Sequence, residues 1–566
     1  MYFLGLTSGN HDSSAALVKD GELIAAAQEE RFDRRKHSAA FPKQAVRFCL
    51  ENAGISLAEL TGVGFYWRPW ASLYAKAFWL LKYFPYSLGL FKEGMNPHNF
   101  LKMQLIDEEL KRSFGCSRTI PVRFYDHHLT HAASAFFLSP FERAAILTMD
   151  GSGEYLACGF YLGQGKSIKK CGGLPFPNSL GYLYSAVTEY LGFEKNEGEG
   201  TVMGLAAYGK PAYAEAFRKI VRLNPNSHHH PYDIDWRFFS FALGESRWYS
   251  SRLCQLLGPP REKNEEITKR HQDIAASLQL MLEEAVLALA FWLHRHTGQE
   301  SLCLAGGLAL NCAVNGRLLL EGPFKNIFIQ PAANDAGCSL GAALLPAFAG
   351  LPESRRAPLS DVYFGPAYSD EKCLRAIKIA RLKYQYCSQP SVEAARLLAL
   401  GKVIGWFQGR MEFGPRALGN RSIIADPSKP EMKNIVNAKV KFREPFRPFA
   451  PAILLEDRER FLRDSTPSPY MLLAFKVKPE MANLIPATVH LDGTARVQTV
   501  SHQQNPLFYD LIVEFRKLTG LGAVLNTSFN LKGEPIVCSP EDAISTFQRS
   551  QMDCLFIGRY LVKRIQ

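Results

Sequence analysis

AAILTMDGSGEYLACGFYLGQGKSIKKC, residues 144–171, passes from an apolar strand through an Asp-Gly-Ser-Gly turn into a second strand, then through a Gly-rich turn into a third. Alternating apolar positions and turn dipeptides support all three strands. The N-terminus has the same layout. In YFLGLTSGNHDSSAALVKDGELIAAAQEE, residues 2–30, a short apolar strand meets a turn rich in Gly, Ser and Asp. The strand SAALV, the turn KDG and the strand ELIAAA follow.

A three-strand unit opening each half resembles the duplicated actin-like (ASKHA) nucleotide-binding fold, in which the strand-to-strand turns hold phosphates with backbone N–H groups. Gly151 and Gly153 of the second turn are therefore candidate nucleotide contacts. SLCLAGGLALNCAVNGRLL, residues 301–319, adds a strand, Ala-Gly-Gly and a helix, where the backbone can come close to a nucleotide; Gly306, Gly307 and Asn311 join the candidates. GQGKS at 163–167 looks like the end of a P-loop, but Phe160 stands where that motif requires glycine, and the lysine follows a turn between strands.

A chain of 566 residues is too long for one core. Around residues 350–365 the sequence turns to Pro, Ser and charges without periodicity, which predicts a boundary: an actin-like domain over 1–355 and a second α/β domain over 356–566. KVIGWF, FAPAIL and GAVLNT are strands expected in the second domain. The composition, 47% hydrophobic and 12% aromatic, is that of a globular protein, and the net charge of +12 favours anionic partners. Twelve scattered cysteines without a C-x-x-C pair argue against a structural zinc site or a disulfide framework and fit a reducing cytoplasm. The N-terminus lacks the pattern of a signal peptide. Lys76, Lys82 and Pro85 interrupt the apolar run 72–91, so no membrane span is expected.

DHHLTHAASAFFL, residues 126–138, places three histidines at the entry to an apolar helix. His127 and His131, four apart, share one helix face, and His128 points elsewhere. Asp150 ends the strand AAILTMD, and Asp335 lies between a strand and a helix in QPAANDAGCSLG. Two imidazoles one turn apart with carboxylates from separate strand ends suit a divalent Fe, Zn or Mn ion. An Asp before a Gly turn also serves simply as a turn residue, and that alternative stays open at this level.

Residues 401–451 hold ten Lys/Arg against four Asp/Glu, interleaved with Gly, Pro and Phe. Arg416, Arg421, Lys441, Arg443 and Arg447, with Arg496 in DGTARVQTV, suggest a pocket of forked donors for phosphate or carboxylate; a solvated basic face is the alternative. LNTSFN, residues 525–530, adds amide and hydroxyl groups at a strand end.

HDSSAAL, ERFDRRKHSAAFP, DHHLTHAASAFF, MDGSGE, VMGLAAYG, LAGGLALN, GRMEFGPRALGNRSI, FREPFRPFAP and LNTSFN occur in this order. On these motifs the chain resembles the NodU/CmcH family of O-carbamoyltransferases over essentially its whole length. One departure is Thr201, where the family pattern leads one to expect lysine. The resemblance implies a first domain similar to the universal tRNA-threonylcarbamoyl transferase, with bound iron, and a YrdC-like second domain that makes acyl adenylates. By motif position it implies His127, His131, Asp150 and Asp335 as metal ligands and Arg416, Arg447, Arg496 and Asn526 as carbamoyl-phosphate contacts, with Lys441 a further candidate. It implies Lys36 and Ser528 as nucleotide contacts and His11 as the residue nearest acyl transfer. The expected activity is ATP-dependent transfer of a carbamoyl group, through carbamoyl-AMP, to a hydroxyl of a sugar or other natural product. Fe(II) is the expected metal, with Zn or Mn as alternatives, and ATP and carbamoyl phosphate the substrates, with Mg(II).

The acceptor is most readily met at the aromatic stretch 64–91, with Trp67, Trp70, Tyr74, Trp79 and Tyr83, although helix packing accounts for those residues equally well. His228–His230 reads as a surface loop. A role in nucleic-acid modification is the rival reading of a basic chain, but the bases cluster in a pocket-like segment rather than a stripe. A small-molecule acceptor is the expected partner, with a homodimer left open and neither membrane nor nucleic acid expected.

Overall fold

The computed structural model describes all residues except 83, 85–104, 225, 226, 228, 229, 242–245, 351–355, 565 and 566. Two compact units emerge: one of Met1–Glu29 with Ser38–Leu359, the other of Glu30–His37 with Ser360–Gln566.

The first unit holds two five-stranded sheets. β1 (Tyr2–Thr7), β2 (Ser14–Lys19) and β3 (Glu22–Gln28) form an antiparallel meander, and β4 (Gly62–Phe65) and β5 (Val122–Phe124) extend it in parallel from β1, in the order β3-β2-β1-β4-β5. In the second sheet β6 (Arg143–Met149), β7 (Leu156–Gln164) and β8 (Ser167–Pro175) repeat the meander. A small hairpin, β9 (Val221–Leu223) and β10 (Tyr232–Ile234), lies outside it, and β11 (Ser301–Ala305) and β12 (Asn326–Ile329) repeat the parallel extension. The order β8-β7-β6-β11-β12 duplicates the first sheet strand for strand. This is the duplicated actin-like fold expected from the two three-strand segments. Nearly every residue of β1, β2 and β6 is buried, as strands covered on both faces require.

The helix Cys338–Gly350 lies on the first sheet so closely that a side chain at Gly64 would overlap the backbone of Ala342, with a Cβ only 1.8 Å from its carbonyl oxygen. Where the same helix crosses His127–Phe136, a Cβ at Gly341 would lie 1.9 Å from the Thr130 carbonyl oxygen. Glycine permits this backbone-to-backbone approach and no other residue does. Gly341→Val is accordingly expected to destabilise the protein by ~3 kcal/mol through overpacking, read by urea denaturation. An unchanged midpoint would mean that the helices do not touch there.

Among the described residues one helix, Lys269–Thr297, is long and apolar enough to cross a membrane, and its inner face from Ile274 to Leu293 is buried in the first unit. None of the twelve cysteines forms a disulfide.

The second unit carries an eight-stranded mixed sheet and is the α/β domain expected from the sequence. Its strands are β13 (Tyr384–Tyr386), β14 (Ile404–Phe407), β15 (Arg421–Ala425), β16 (Ala450–Leu454), β19 (Gln498–Val500), β20 (Ala523–Ser528), β21 (Cys554–Ile557) and β22 (Tyr560–Lys563). They run in the order β13-β22-β21-β14-β15-β20-β16-β19, while β17 (Ala474–Lys476) and β18 (Thr494–Arg496) pair separately. Residues 30–37, which the sequence reading kept in the first domain, pack with this second unit. Phe32 lies against Met411, Ala417, Ile536 and Cys538, and Arg34 donates to the carbonyls of Pro535 and Ile536 at 2.8 and 2.6 Å. Local pattern could not reveal this, because the partners of Arg34 alone are 501 and 502 residues away in sequence.

Candidate functional site

The histidine helix of the first unit begins where Glu154 caps it. The Glu154 carboxylate accepts the His127 backbone N–H at 3.1 Å and that of Arg68 at 2.8 Å. A carboxylate at a helix N-terminus satisfies a free N–H and complements the helix dipole. Glu154 closes the MDGSGE turn, so the turn that ends in a candidate ligand strand also holds the ligand helix. The sequence reading missed this role.

His127 and His131 project from that helix with ring centroids 4.6 Å apart and are fully buried. His127 Nε2 lies 2.9 Å and His131 Nε2 3.3 Å from Asp150 Oδ2, and both nitrogens lie 3.6 Å from Asp335 Oδ1. The four donor atoms fall within 4.8 Å of one another. Cys338 Sγ, 3.9 Å from His127 Nδ1, forms a second group with the two histidines, and the sequence reading missed it. Burial alone would discharge the His127 ring, but Asp335, Cys338 and the hydrogen bond to Asp150 raise it well above the ordinary imidazole range. His131 is raised likewise against burial, by Cys338 and then by its bonds to Asp150 and Asp335. Asp150 is held well below the carboxylate range despite burial by hydrogen bonds to the two histidines, and the same rings lower the buried Cys338 thiol. Such a cluster holds positive charge at its centre, whether as two protons or as one cation. Two imidazoles, two carboxylates and a nearby sulfur suit a divalent transition metal.

His128 has a different task. Its Nδ1 bonds Thr148 Oγ1 at 2.7 Å and its Nε2 bonds the Leu156 carbonyl at 3.0 Å, tying the helix to the second sheet. Burial and the two neighbouring histidines push it down to about 3, so it stays neutral. His11 joins the edge of the cluster, with Nε2 3.8 Å from Asp335 Oδ2 and Nδ1 3.1 Å from Asp12 Oδ2. Its side chain is half open to solvent by surface area but faces carboxylates; against burial, Asp335 and then Asp12 push it up to about 10. Trp67 stands over His127 with centroids 5.1 Å apart, whereas Trp70 and Tyr74 are exposed. Tyr83 and residues 85–91 of that aromatic stretch, like His228 and His229, lie outside the described residues.

The glycine candidates divide. Gly307 donates its N–H to Asp150 Oδ1 at 3.1 Å, and Gly306 (φ +91°) lies against the Met149 backbone. Gly151 and Gly153 make room for the rings of Tyr182 and His128, which explains both glycines by packing. Asn311 caps the helix Cys312–Glu321 through Val314 N–H at 3.1 Å and exchanges amide bonds with Gln279, a structural task. Thr201 is buried on the helix Glu199–Ala206.

In the second unit the basic residues also separate. Arg421 is wholly buried and donates to the carbonyls of Gln408, Gly409, Asn420 and Pro366, with its guanidinium 3.8 Å from the centre of the Phe407 ring. This corrects its place among the pocket arginines, since its donors serve backbone carbonyls at both ends of the 409–420 loop and at Pro366. Lys441 points its buried ammonium at the Ser528 and Asn530 carbonyls, at 2.7 and 3.0 Å, and at Asn530 Oδ1, at 2.6 Å. Burial, then Arg443 and Arg447, hold it well below the usual lysine range. Lys441 thereby braces the strand end that carries Ser528, whose Oγ lies 2.7 Å from Asn530 Oδ1.

Arg443, Arg447 and Arg496 gather instead. Burial disfavours charge on Arg443, and its neighbours Arg447 and Arg496 add repulsion that Glu444 offsets in part. Arg447 is lowered as well, by burial first. Guanidinium does not give up its proton near neutrality, so such crowding favours an anion beside it, a place that Glu444 takes in part at 4.0 Å from Arg447. Asn437 shapes the loop: its Oδ1 accepts from Arg443 Nε at 2.7 Å and its Nδ2 donates to the Arg447 carbonyl at 3.1 Å. Asn526 lies 1% exposed on β20, and Arg416 is half-buried in the 409–420 loop. Lys36 is half-buried in the segment 30–37 that packs on this unit.

Residues 2–344 match the carbamoyltransferase N-terminus family and residues 395–564 the carbamoyltransferase C-terminus family. Nodulation protein NolNO of Sinorhizobium fredii is 39% identical over 98% of this chain and 79% of its own, and nodulation protein NolO of Bradyrhizobium diazoefficiens 42% identical over 78% and 79%. Among solved structures, component A of (R)-2-hydroxyglutaryl-CoA dehydratase from Acidaminococcus fermentans is similar at 16% identity and a TM-score of 0.32, over 62% of this chain and 99% of that one. HypF of T. kodakarensis is similar at 12% identity and a TM-score of 0.31, over 62% and 47%. With both family domains in order and relatives near 40% identity over most of its length, the chain belongs to the carbamoyltransferase family.

Proposed function

We propose that the protein is an ATP-dependent O-carbamoyltransferase that forms carbamoyl-AMP in its second unit and passes the carbamoyl group to a small-molecule hydroxyl in its first. The observation that supports this most is the match of both halves of the chain to carbamoyltransferase family domains, the second of which brings Arg443, Arg447 and Arg496 near enough to repel one another. Carbamoyl phosphate first loses its phosphate to water, leaving carbamate. A carbamate oxygen attacks the α-phosphorus of ATP, the bond to the bridging oxygen breaks, and pyrophosphate leaves. The arginines stabilise the charge that builds on the phosphoryl oxygens during this step. The acceptor's hydroxyl oxygen then attacks the carbamoyl carbon, AMP leaves, and the hydroxyl proton passes to His11 Nε2.

His127, His131, Asp150 and Asp335 would hold a divalent cation, Fe(II), Zn or Mn by donor type, supplying Lewis acidity and a template for the adenylate. A cation there would offset the charge of Asp335, the partner that most favours the His11 proton. The enzyme would be soluble and cytoplasmic and act on a sugar or other natural product.

The test is incubation with carbamoyl phosphate, Mg-ATP and a panel of hydroxylated natural products. Pyrophosphate release that requires carbamoyl phosphate, and an acceptor heavier by one carbamoyl group, are expected. Pyrophosphate release indifferent to carbamoyl phosphate would sink the adenylate route.

A further inference from the structure

The helix Pro69–Lys82 turns large apolar side chains outward. Trp70, Tyr74, Phe78 and Leu81 are 59%, 76%, 60% and 82% exposed. At about 100° per residue these four fall within an arc of about 80°, and Trp79 stands on the far side of the helix. Trp79 is the anchor. Its ring packs on Phe176 with centroids 4.6 Å apart, and Phe176 in turn meets Tyr182 and Phe241. One face of the helix is thus pinned to the first unit while the opposite one is open. Three aromatic rings and a leucine at that exposure make an apolar patch on the order of 500 Å², near the top of the range for a soluble monomer, where such patches are often functional. Helix packing accounts for Trp79 but not for the four outward residues.

Charge decides what this face fits. From Tyr66 to Lys92 the chain carries Arg68, Lys76, Lys82 and Lys92 and no Asp or Glu. Arg68 is paired with Asp126 at 3.0 Å. Lys82 is exposed, with its ammonium 5.8 Å from the centre of the Phe78 ring, at the border of the apolar arc. A second copy of the chain would bring the same basic segment against itself, with no carboxylate in it to answer the lysines. A bilayer answers both parts of the pattern: acyl chains take Phe and Leu, the headgroup layer suits Trp and Tyr, and anionic lipid suits lysine. Lys76, Lys82 and Pro85 argue against a helix that spans. They do not oppose one that lies flat in the interface, where lysines beside the apolar face are favourable.

We propose that the helix Pro69–Lys82 docks the protein on a membrane surface that carries anionic lipid, with Trp70, Tyr74, Phe78 and Leu81 in the boundary between headgroups and acyl chains. The docking is peripheral and reversible, as suits a protein that is also soluble. The helix begins two residues after Trp67, whose ring centroid lies 5.1 Å from that of His127, so the docked helix starts beside the histidine cluster. This inference does not depend on the proposed reaction.

The experiment is flotation of the full-length protein with vesicles of phosphatidylcholine alone and of phosphatidylcholine with phosphatidylserine. Wild type is expected to bind the phosphatidylserine vesicles at least about tenfold more tightly, a preference that salt weakens. Phe78→Glu combined with Leu81→Glu should abolish flotation with both, at an unchanged thermal melt, because both positions are exposed. Lys82→Gln should lower affinity for the phosphatidylserine vesicles about fivefold and leave phosphatidylcholine as before. If the double variant does not fold, Leu81→Ser alone takes its place, with binding about tenfold weaker. Flotation that survives the glutamates overturns the proposal by placing the contact elsewhere. Wild type that floats with neither vesicle overturns it too, and sedimentation equilibrium then says what covers the face: a dimer split by the glutamates means a second copy, a monomer means other residues of the chain or a different protein.

Discussion

His131→Ala is expected to yield a folded protein that has lost its metal and transfers no carbamoyl group, yet still releases pyrophosphate from ATP when carbamoyl phosphate is present. His131 Nε2 lies 3.3 Å from Asp150 and 3.6 Å from Asp335, so its loss opens one corner of the donor set. Even an outer partner of a metal site is worth roughly 10–100-fold in affinity, and a direct ligand should be worth more. The adenylate is proposed to form in the other unit, to which this helix does not belong, so the first half-reaction should survive. Elemental analysis and pyrophosphate release without acceptor decide the matter. If the variant keeps its metal, the histidines are structural; if metal and adenylate formation vanish together in a folded protein, the division of labour is wrong.

The mirror-image experiment is Arg447→Ala, expected to abolish carbamoyl phosphate-dependent pyrophosphate release while leaving metal content unchanged. Losing a guanidinium that stabilises developing charge should cost about 2–4 kcal/mol of transition-state stabilisation, roughly 10²–10³-fold in rate. Folding should persist, because Asn437 grips the backbone carbonyl of residue 447 rather than its side chain. Removing one of three crowded guanidinium groups also relieves repulsion on Arg443. A thermal melt close to wild type with pyrophosphate release lost is the expected pair of results. Wild-type release would remove Arg447 from the pocket.

The difference between Arg421 and Arg443 shows where sequence reading stops. Both stand in one basic stretch, interleaved with the same Gly, Pro and Phe, and nothing local separates them. Arg421 falls at the start of β15 and turns into a ring of carbonyls, while Arg443 follows a π-helical turn, Val436–Lys441, whose next residue, Phe442, takes a positive φ of 49°. Lys441 ends that turn and is drawn onto Ser528 and Asn530, 87 and 89 residues away. Whether a cation faces a ligand or a carbonyl is set by long-range packing, which charge patterning does not encode.

The paired three-strand units were legible because strand alternation and turn dipeptides are local, and the sheet orders β3-β2-β1-β4-β5 and β8-β7-β6-β11-β12 repeat that reading. The four residues His127, His131, Asp150 and Asp335 were legible for a related reason: an i, i+4 pair shares a helix face, and strand ends bring their turns to one edge. Their convergence to within 4.8 Å, and the arrival of Cys338 beside them, were decided by tertiary structure. Both depend on how far the helix Cys338–Gly350 sinks onto Gly64 and past Thr130 at Gly341, a depth set by the absence of two side chains far apart in sequence. The direction of the Asn526 amide was decided in the same way, by Gln498 Oε1 and the Ala417 carbonyl, which both accept from its Nδ2 and lie 28 and 109 residues away. Sequence determined which groups exist and which short segments carry them; packing alone determined which of them meet, because their partners lie far away along the chain.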